Sequence, residues 1–247
     1  PWAAAKQPLP ELGSAAVVQN FDSGKPAEVA VVIPVHNYGH YLDEALNSVA
    51  AQEHDNLELV VVDDASSDDS RARACRWLEQ HQHQFQRTLL LAHGSNQGLA
   101  ISRNTGFAWA MAPLVLPLDA DNVLHPGCLN RLQQHLDGGL AAAAHPSLQT
   151  FGLEDSRLMP IDVHNRAQTW NPNRFTNGNY IDAMALIRKA AWAHVGGYSR
   201  MPVSGWEDFG FWCRFVEAGL WSEAVPEAVV GYRVHNQSML HTETMQG

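Results

Sequence analysis

Two short apolar runs constrain the fold before anything else does. Glu28-Val29-Ala30-Val31-Val32-Ile33 stops at Pro34, and Leu57–Val62 stops at the polar cluster Asp63-Asp64-Ala65-Ser66-Ser67-Asp68-Asp69-Ser70. Runs of this length with almost no polar alternation belong to strands covered on both faces. Between them Leu42, Ala45, Leu46, Val49 and Ala50 recur at helical spacing and predict an amphipathic helix. The alternation goes on with a helix over 71–84, a strand over Thr88–Ala92, a helix over 98–111 and a strand over Leu114–Leu118. Such a series implies βαβ units, hence an α/β protein with a mostly parallel central sheet flanked by helices. The second half is less regular: strands are expected at Ala141–Pro146, Ile181–Ile187 and Ala228–Val234, with helices at Lys189–Val195 and 206–219. Residues 1–26, rich in Pro and Ala, read as an N-terminal arm or linker with a short strand near Val17-Val18, and 27–247 read as one domain.

Charge narrows the partners. The 247 residues carry 16 Lys and Arg against 26 Asp and Glu, a net charge of −10, so no nucleic acid is expected as a partner. A phosphate-bearing ligand would need a metal ion or a few local cations. Cys75, Cys128 and Cys213 form no CxxC pair, which points away from a disulfide framework or structural zinc and toward a reducing, cytoplasmic setting. No apolar run reaches about 18 residues, so no membrane span is expected, and peripheral attachment to the inner membrane face stays open. The chain begins without Met and has no signal-peptide layout, as expected of a piece of a longer protein.

Ligands of open α/β sheets gather at the carboxyl ends of strands. Three strand ends carry reactive residues: Pro34-Val35-His36-Asn37, Asp63-Asp64, and Asp119-Ala120-Asp121-Asn122. Asp119 and Asp121, two apart in extended chain, face one side, and their mutual repulsion calls for a proton or a hard divalent ion such as Mg2+ or Mn2+. The competing reading has Asp119 capping a turn and Asp121-Asn122 opening a helix. Ser204 and Glu207 fit an S-x-x-E capping box. Asp208 then falls in the first helical turn, either as a dipole-stabilised ornament or as a general base beside Trp206. In Gly231-Tyr232-Arg233-Val234-His235, Arg233 and His235 share a strand face. Arg103 follows the loop Asn96-Gln97-Gly98, within reach of a diphosphate or of a surface ion pair. No GxGxxG, P-loop, GxSxG or zincin pattern is present, which argues against a nicotinamide dehydrogenase, a P-loop NTPase, an α/β-hydrolase and a zinc protease.

The order of the motifs VVIPVHNYGHYLDEALNSVAAQ, LELVVVDDASSDDS, NQGLAISRNTGFAWA, PLDADNVLHPG, GNYIDAMALIRKAAWAHVGGY, GWEDFGFWCRFVEAG and YRVHNQSM closely resembles the family 2 glycosyltransferases with a GT-A fold, over about residues 27–241. The resemblance implies a metal-dependent, inverting transfer from a nucleoside-diphosphate sugar, most often a UDP-sugar, to a hydroxyl on a glycan, a lipid-linked saccharide or a protein. It implies a nucleotide-binding half over 27–125 and an acceptor and catalytic half over 126–247. Pro34, Val35 and Asn37 would line the nucleoside, Asp64 would bond the base, and Arg103 would lie near the nucleotide. Asp119 would reach the ribose or the metal. Asp121 would be the main ligand of Mn2+ or Mg2+, and His235 would complete the metal or diphosphate site. Asp208 would be the catalytic base, with Asn179, Tyr180, Trp206 and Glu207 bordering the donor sugar and acceptor.

One departure and two alternatives belong with this resemblance. No Q-x-x-R-W segment follows the Glu207-Asp208 helix, unlike processive polysaccharide synthases. The alternative from another class is a non-catalytic nucleotide-sugar-binding or scaffolding module, against which Asp119, Asp121, Asp208 and His235 all argue. A sugar nucleotidyltransferase would carry a Gly-rich loop after the first strand, where this chain has Val35-His36-Asn37-Tyr38-Gly39-His40.

Overall fold

The structure, a computed structural model, describes residues 8–152, 164–165, 167–201 and 205–235. Strand β1 (Ala15–Asp22) precedes the alternating series β2 (Val29–Val35), α1 (Gly39–Ala50), β3 (Leu57–Asp63), α2 (Ser70–His81), β4 (Arg87–His93), α3 (Leu99–Trp109) and β5 (Leu114–Pro117). There follow β6 (Val123–Leu124), α4 (Cys128–Leu136), β7 (Ala143–Gly152), β8 (His164–Asn165), β9 (Leu186–Arg188), α5 (Lys189–His194), α6 (Glu207–Glu217) and β10 (Ser222–Val234). Among the described residues the strands form a single sheet in the order β1-β4-β3-β2-β5-β9-β7-β10-β6, with β8 on β7.

The inner strands β4, β3, β2 and β5 are parallel, and so is the long β7–β10 pair. β1 lies antiparallel on β4, and the short strands β6, β8 and β9 also pair antiparallel, so a mixed sheet is built around the parallel centre that was expected. The strand expected near Val17-Val18 therefore covers the β4 edge along its length, as β1.

Every residue of β2 and β3 is buried, as their apolar runs require. Alternate residues feed two cores. Val31, Ile33, Leu59 and Val61 meet α1, α2 and α4 through Leu42, Leu46, Trp77, Leu78, Leu129 and Leu132. Ala30, Val32, Val60 and Val62 meet α3, α5 and α6 through Phe107, Trp192, Phe211, Trp212 and Phe215. At Gly106 a Cβ would come within 2.2 Å of Val32 Cγ1, so only glycine lets α3 lie this close to β2.

Two expected elements are shorter than the sequence suggested. Helix α3 ends at Trp109, because the buried Glu58 carboxylate takes the N–H groups of Met111 and Ala112 at 2.7 and 2.9 Å and draws the chain out of the helix. Of Ile181–Ile187 only Leu186 and Ile187 lie in β9, because Asp182 and Asn179 bond the N–H groups of Met184 and Ile181 and replace ladder pairing with side-chain turns.

Candidate active site

The chain passes β2, β3 and β4 on one side and then returns to place β5 on the other side of β2. This switch between β2 and β5 opens a crevice at their carboxyl ends. Pro34 and Val35 close β2 inside the sheet, and Asn37 follows with φ at 58°. That left-handed turn is tolerable for Asn, whose Oδ1 accepts the N–H of Ser67 at 2.7 Å and that of Asp68 at 3.2 Å. Asn37 thereby clamps the loop after β3.

Asp64, at the end of β3, is buried with both oxygens occupied. Oδ1 accepts from His93 Nδ1 at 2.7 Å and from Gln97 N–H at 2.8 Å, and Oδ2 accepts from Gly98 N–H at 2.8 Å. Burial works against its charge, yet these donors hold the carboxyl below the usual carboxylate range.

Across the crevice, Arg103 of α3 is buried and bonds two carboxylates, Asp119 Oδ1 at 2.7 Å and Glu207 Oε1 at 3.1 Å. It joins the end of β5 to the start of α6. Asp121 Oδ2 lies 3.0 Å from His235 Nε2, beyond the end of β10. Burial first, and the charge of Asp119 second, raise the Asp121 carboxyl above its ordinary range against the opposing pull of His235. Arg233 is sandwiched between the rings of Tyr41 and Phe151, at 4.6 and 4.3 Å, and donates from Nε to the Asp121 carbonyl at 2.8 Å. Arg233 and His235 thus face the same side, as their spacing requires.

Asp208 stands in the first turn of α6. Oδ2 accepts from Asn179 Nδ2 and Oδ1 from Phe209 N–H, each at 2.7 Å. Burial, followed by the charge of Asp182, pushes its carboxyl up to about 8. Asp182 itself is pushed up to about 6, by burial and then by Asp119. Trp206 is exposed beside it and meets Phe209 edge-on. Tyr180 is tied back instead: its hydroxyl donates to the Asn171 carbonyl at 3.2 Å and accepts the Asn171 N–H at 2.8 Å, and Arg174 lies over its ring.

The geometry thus brings Asp119, Asp121, Asp208, Arg103, Glu207, Asn179 and His235 into one neighbourhood, with Asn37 and Asp64 on the β2–β3 side. Helix α6 begins at Glu207 with Trp206 at its cap, which puts Glu207 at the first helical position and not at the third position of a capping box. Ser204 of that box lies outside the described residues, as does the segment after His235. Asp182, His93 and Thr105 went unnoticed in the sequence. An acid interrupting the apolar run Ile181–Ile187 was the available signal for Asp182. Among the described residues, no three His, Cys, Asp or Glu side chains are gathered as a ready-made metal cage. No helix among them is long and apolar enough to cross a membrane.

A family model described as Glycosyl transferase family 2 matches residues 30–196. The chain is 40% identical over 105 residues to the uncharacterized glycosyltransferase alr2836 of Nostoc sp., which covers 42% of this chain and 31% of that protein. Among solved structures, S. aureus TarS 1-349 in complex with UDP-GlcNAc aligns at a TM-score of 0.68 and 18% identity, over 85% of this chain and 60% of that one. The mannosyltransferase PcManGT from Pyrobaculum calidifontis, in complex with GDP-Man and Mn2+, aligns at 0.62 and 20% identity, over 88% and 60%. Both likenesses establish the fold, a GT-A-like mixed sheet flanked by helices. The chain therefore spans only part of the proteins it resembles.

Proposed function

The chain belongs to glycosyl transferase family 2, and from that premise we propose that it moves a sugar from a nucleoside-diphosphate sugar, a UDP-sugar first of all, to a hydroxyl acceptor with inversion at the anomeric carbon. The observation that carries this reading is Asp208: a carboxylate oriented by Asn179, poised to titrate near neutral pH, and set next to an acidic cluster at the switch point. TarS and PcManGT, which share the fold, were solved with UDP-GlcNAc and GDP-Man.

In the proposed reaction Asp208 accepts the proton of the acceptor hydroxyl as that oxygen bonds the anomeric carbon. The bond from that carbon to the β-phosphate oxygen breaks, and its electron pair leaves with the nucleoside diphosphate. Pro34, Val35 and Asn37 line the nucleoside and Asp64 accepts an N–H of the base. Arg103, holding Asp119 and Glu207 together, fixes the donor side against the helix that carries the base. Trp206 and Asn179 border the transferred sugar, and Tyr180 shapes the wall behind them.

Asp121, Asp119 and His235 fit a divalent ion by donor chemistry: two carboxylates and an imidazole, with Asp121 raised by burial and then by the charge of Asp119. Such an ion, Mn2+ or Mg2+, would neutralise charge on the departing diphosphate. The acceptor on this reading is a glycan, a lipid-linked saccharide or a protein hydroxyl. Calorimetric titration of UDP, GDP and dTDP with and without Mn2+, with Asp121→Ala as control, tests the donor site. Metal-dependent binding of UDP that is lost in the variant supports it. Absence of binding by all three would favour a non-catalytic module.

A further inference from the structure

A buried hydrogen-bond chain leads from Asp64 away from the crevice to the N-terminal segment. His93 Nδ1 is 2.7 Å from Asp64 Oδ1, His93 Nε2 is 3.1 Å from Thr105 Oγ1, and Gly13 N–H donates to Thr105 Oγ1 at 3.1 Å. His93 and Thr105 are 2% and 1% exposed, so their pairing is shielded from bulk water. An ionised Asp64 only accepts, so His93 Nδ1 carries the proton toward it. Gly13 only donates, so the Thr105 hydroxyl accepts from it while pairing with His93 Nε2.

The N-terminal segment is built to fit this chain. A Cβ on Gly13 would lie 2.5 Å from His93 Nε2, so glycine alone lets the backbone rest on the ring. One residue before Thr105, Asn104 donates to the Glu11 carbonyl at 2.9 Å, which stitches the same segment to α3. Of the roughly four acceptor sites of a carboxylate, His93 and the N–H groups of Gln97 and Gly98 occupy three in Asp64. Among the described residues one site is left on Oδ2.

We infer that His93 and Thr105, latched by the Gly13 N–H, are positioning residues for donor recognition: they hold Asp64 so that its remaining acceptor site meets the N–H of the nucleobase. This rests on the reading of Asp64 as the base-recognising carboxylate. Segment 8–14, outside the region of the family match, becomes part of the specificity apparatus.

Calorimetry with UDP and with inorganic pyrophosphate, in Mn2+, on the full chain and on Thr105→Val, Thr105→Ser and Asp64→Asn tests it. Thr105→Val keeps the shape and removes the hydroxyl. It is expected to weaken UDP about tenfold, the scale of one buried hydrogen bond, and to leave pyrophosphate unchanged, while Thr105→Ser binds as the parent. Should Thr105→Val fail to fold, His93→Asn, which keeps a donor toward Asp64 and gives up Thr105, is expected to show the same selective loss. Parental UDP affinity in Thr105→Val alongside weak binding in Asp64→Asn would overturn the positioning role alone. Equal loss of UDP and pyrophosphate would overturn it too, by exposing a general loosening. Unchanged UDP affinity in Asp64→Asn would remove the underlying reading of Asp64, and the inference with it.

Discussion

Asn179 donates a 2.7 Å hydrogen bond to Oδ2 of Asp208, and this bond links the irregular segment before β9 to the first turn of α6. Among the described residues it is the one side-chain donor given to that carboxylate, and it favours the ionised form. Replacing Asn179 with Ala is expected to raise the Asp208 carboxyl further. The loss in kcat/KM should be about tenfold at pH 7 and clearly smaller at pH 9. An equal loss at both pH values would mean that Asn179 acts on the substrate and not through Asp208.

The pH dependence of activity follows from the carboxyl near 8. The free protein holds the Asp208 proton up to that range, so kcat/KM should climb about tenfold per unit as pH rises toward 8 and level off above it. A profile flat from pH 6 to 9 would contradict the assignment.

Stability should run the other way. An acid whose carboxyl is raised from 3.8 to about 8 binds more protons folded than unfolded in that interval, so it erodes stability as pH rises through it. Asp182, raised to about 6, acts in the same direction over the lower part of the interval. Asp208→Asn is therefore expected to raise Tm at pH 8 by about 2–4 °C, roughly 1 kcal/mol in a domain of this size. The gain should vanish near pH 4. Differential scanning calorimetry at the two pH values checks both signs.

Arg103 holds Asp119 and Glu207 from a buried position, with its largest favourable contribution coming from Asp119. Removing one partner of a buried pair strands the others, so Arg103→Met should cost about 3 kcal/mol in urea unfolding. Arg103→Lys should recover little of it, because an ammonium cannot span two carboxylates as a guanidinium does. Full stability in Arg103→Met would show that water reaches the site and screens it.

For the proposed ion, chelation should abolish UDP binding. His235→Ala should raise the Mn2+ concentration for half-maximal UDP binding about tenfold, ~1.4 kcal/mol. UDP affinity indifferent to chelator would remove Asp121 and His235 from the donor site.

Much of this architecture was readable because burial writes itself into composition. β2 and β3 lie between two helical layers, so their sequences lost polar alternation, and the acids at their ends stood out. What stayed hidden depended on distance along the chain. Arg103 reads in sequence as within reach of a diphosphate or of a surface ion pair, and its burial against Glu207, 104 residues later, has no local trace. Asp182 sat in a run that resembled a strand, and only the turn it makes with Met184 shows why pairing begins later, at Leu186. His93 was one more polar residue at a strand end, and its neighbours Asp64, Thr105 and Gly13 come from three other segments. The antiparallel additions β6, β8 and β9, two or three residues each, are too short to leave a periodic trace.

The central claim is that Asp208 is the base of a sugar transfer. Its most direct test compares the parent with Asp208→Asn in release of nucleoside diphosphate from a panel of UDP- and GDP-sugars, with UDP affinity measured in parallel. The account predicts about a thousandfold lower kcat in the variant with UDP affinity within twofold of the parent. Turnover at the parental rate in Asp208→Asn would contradict it.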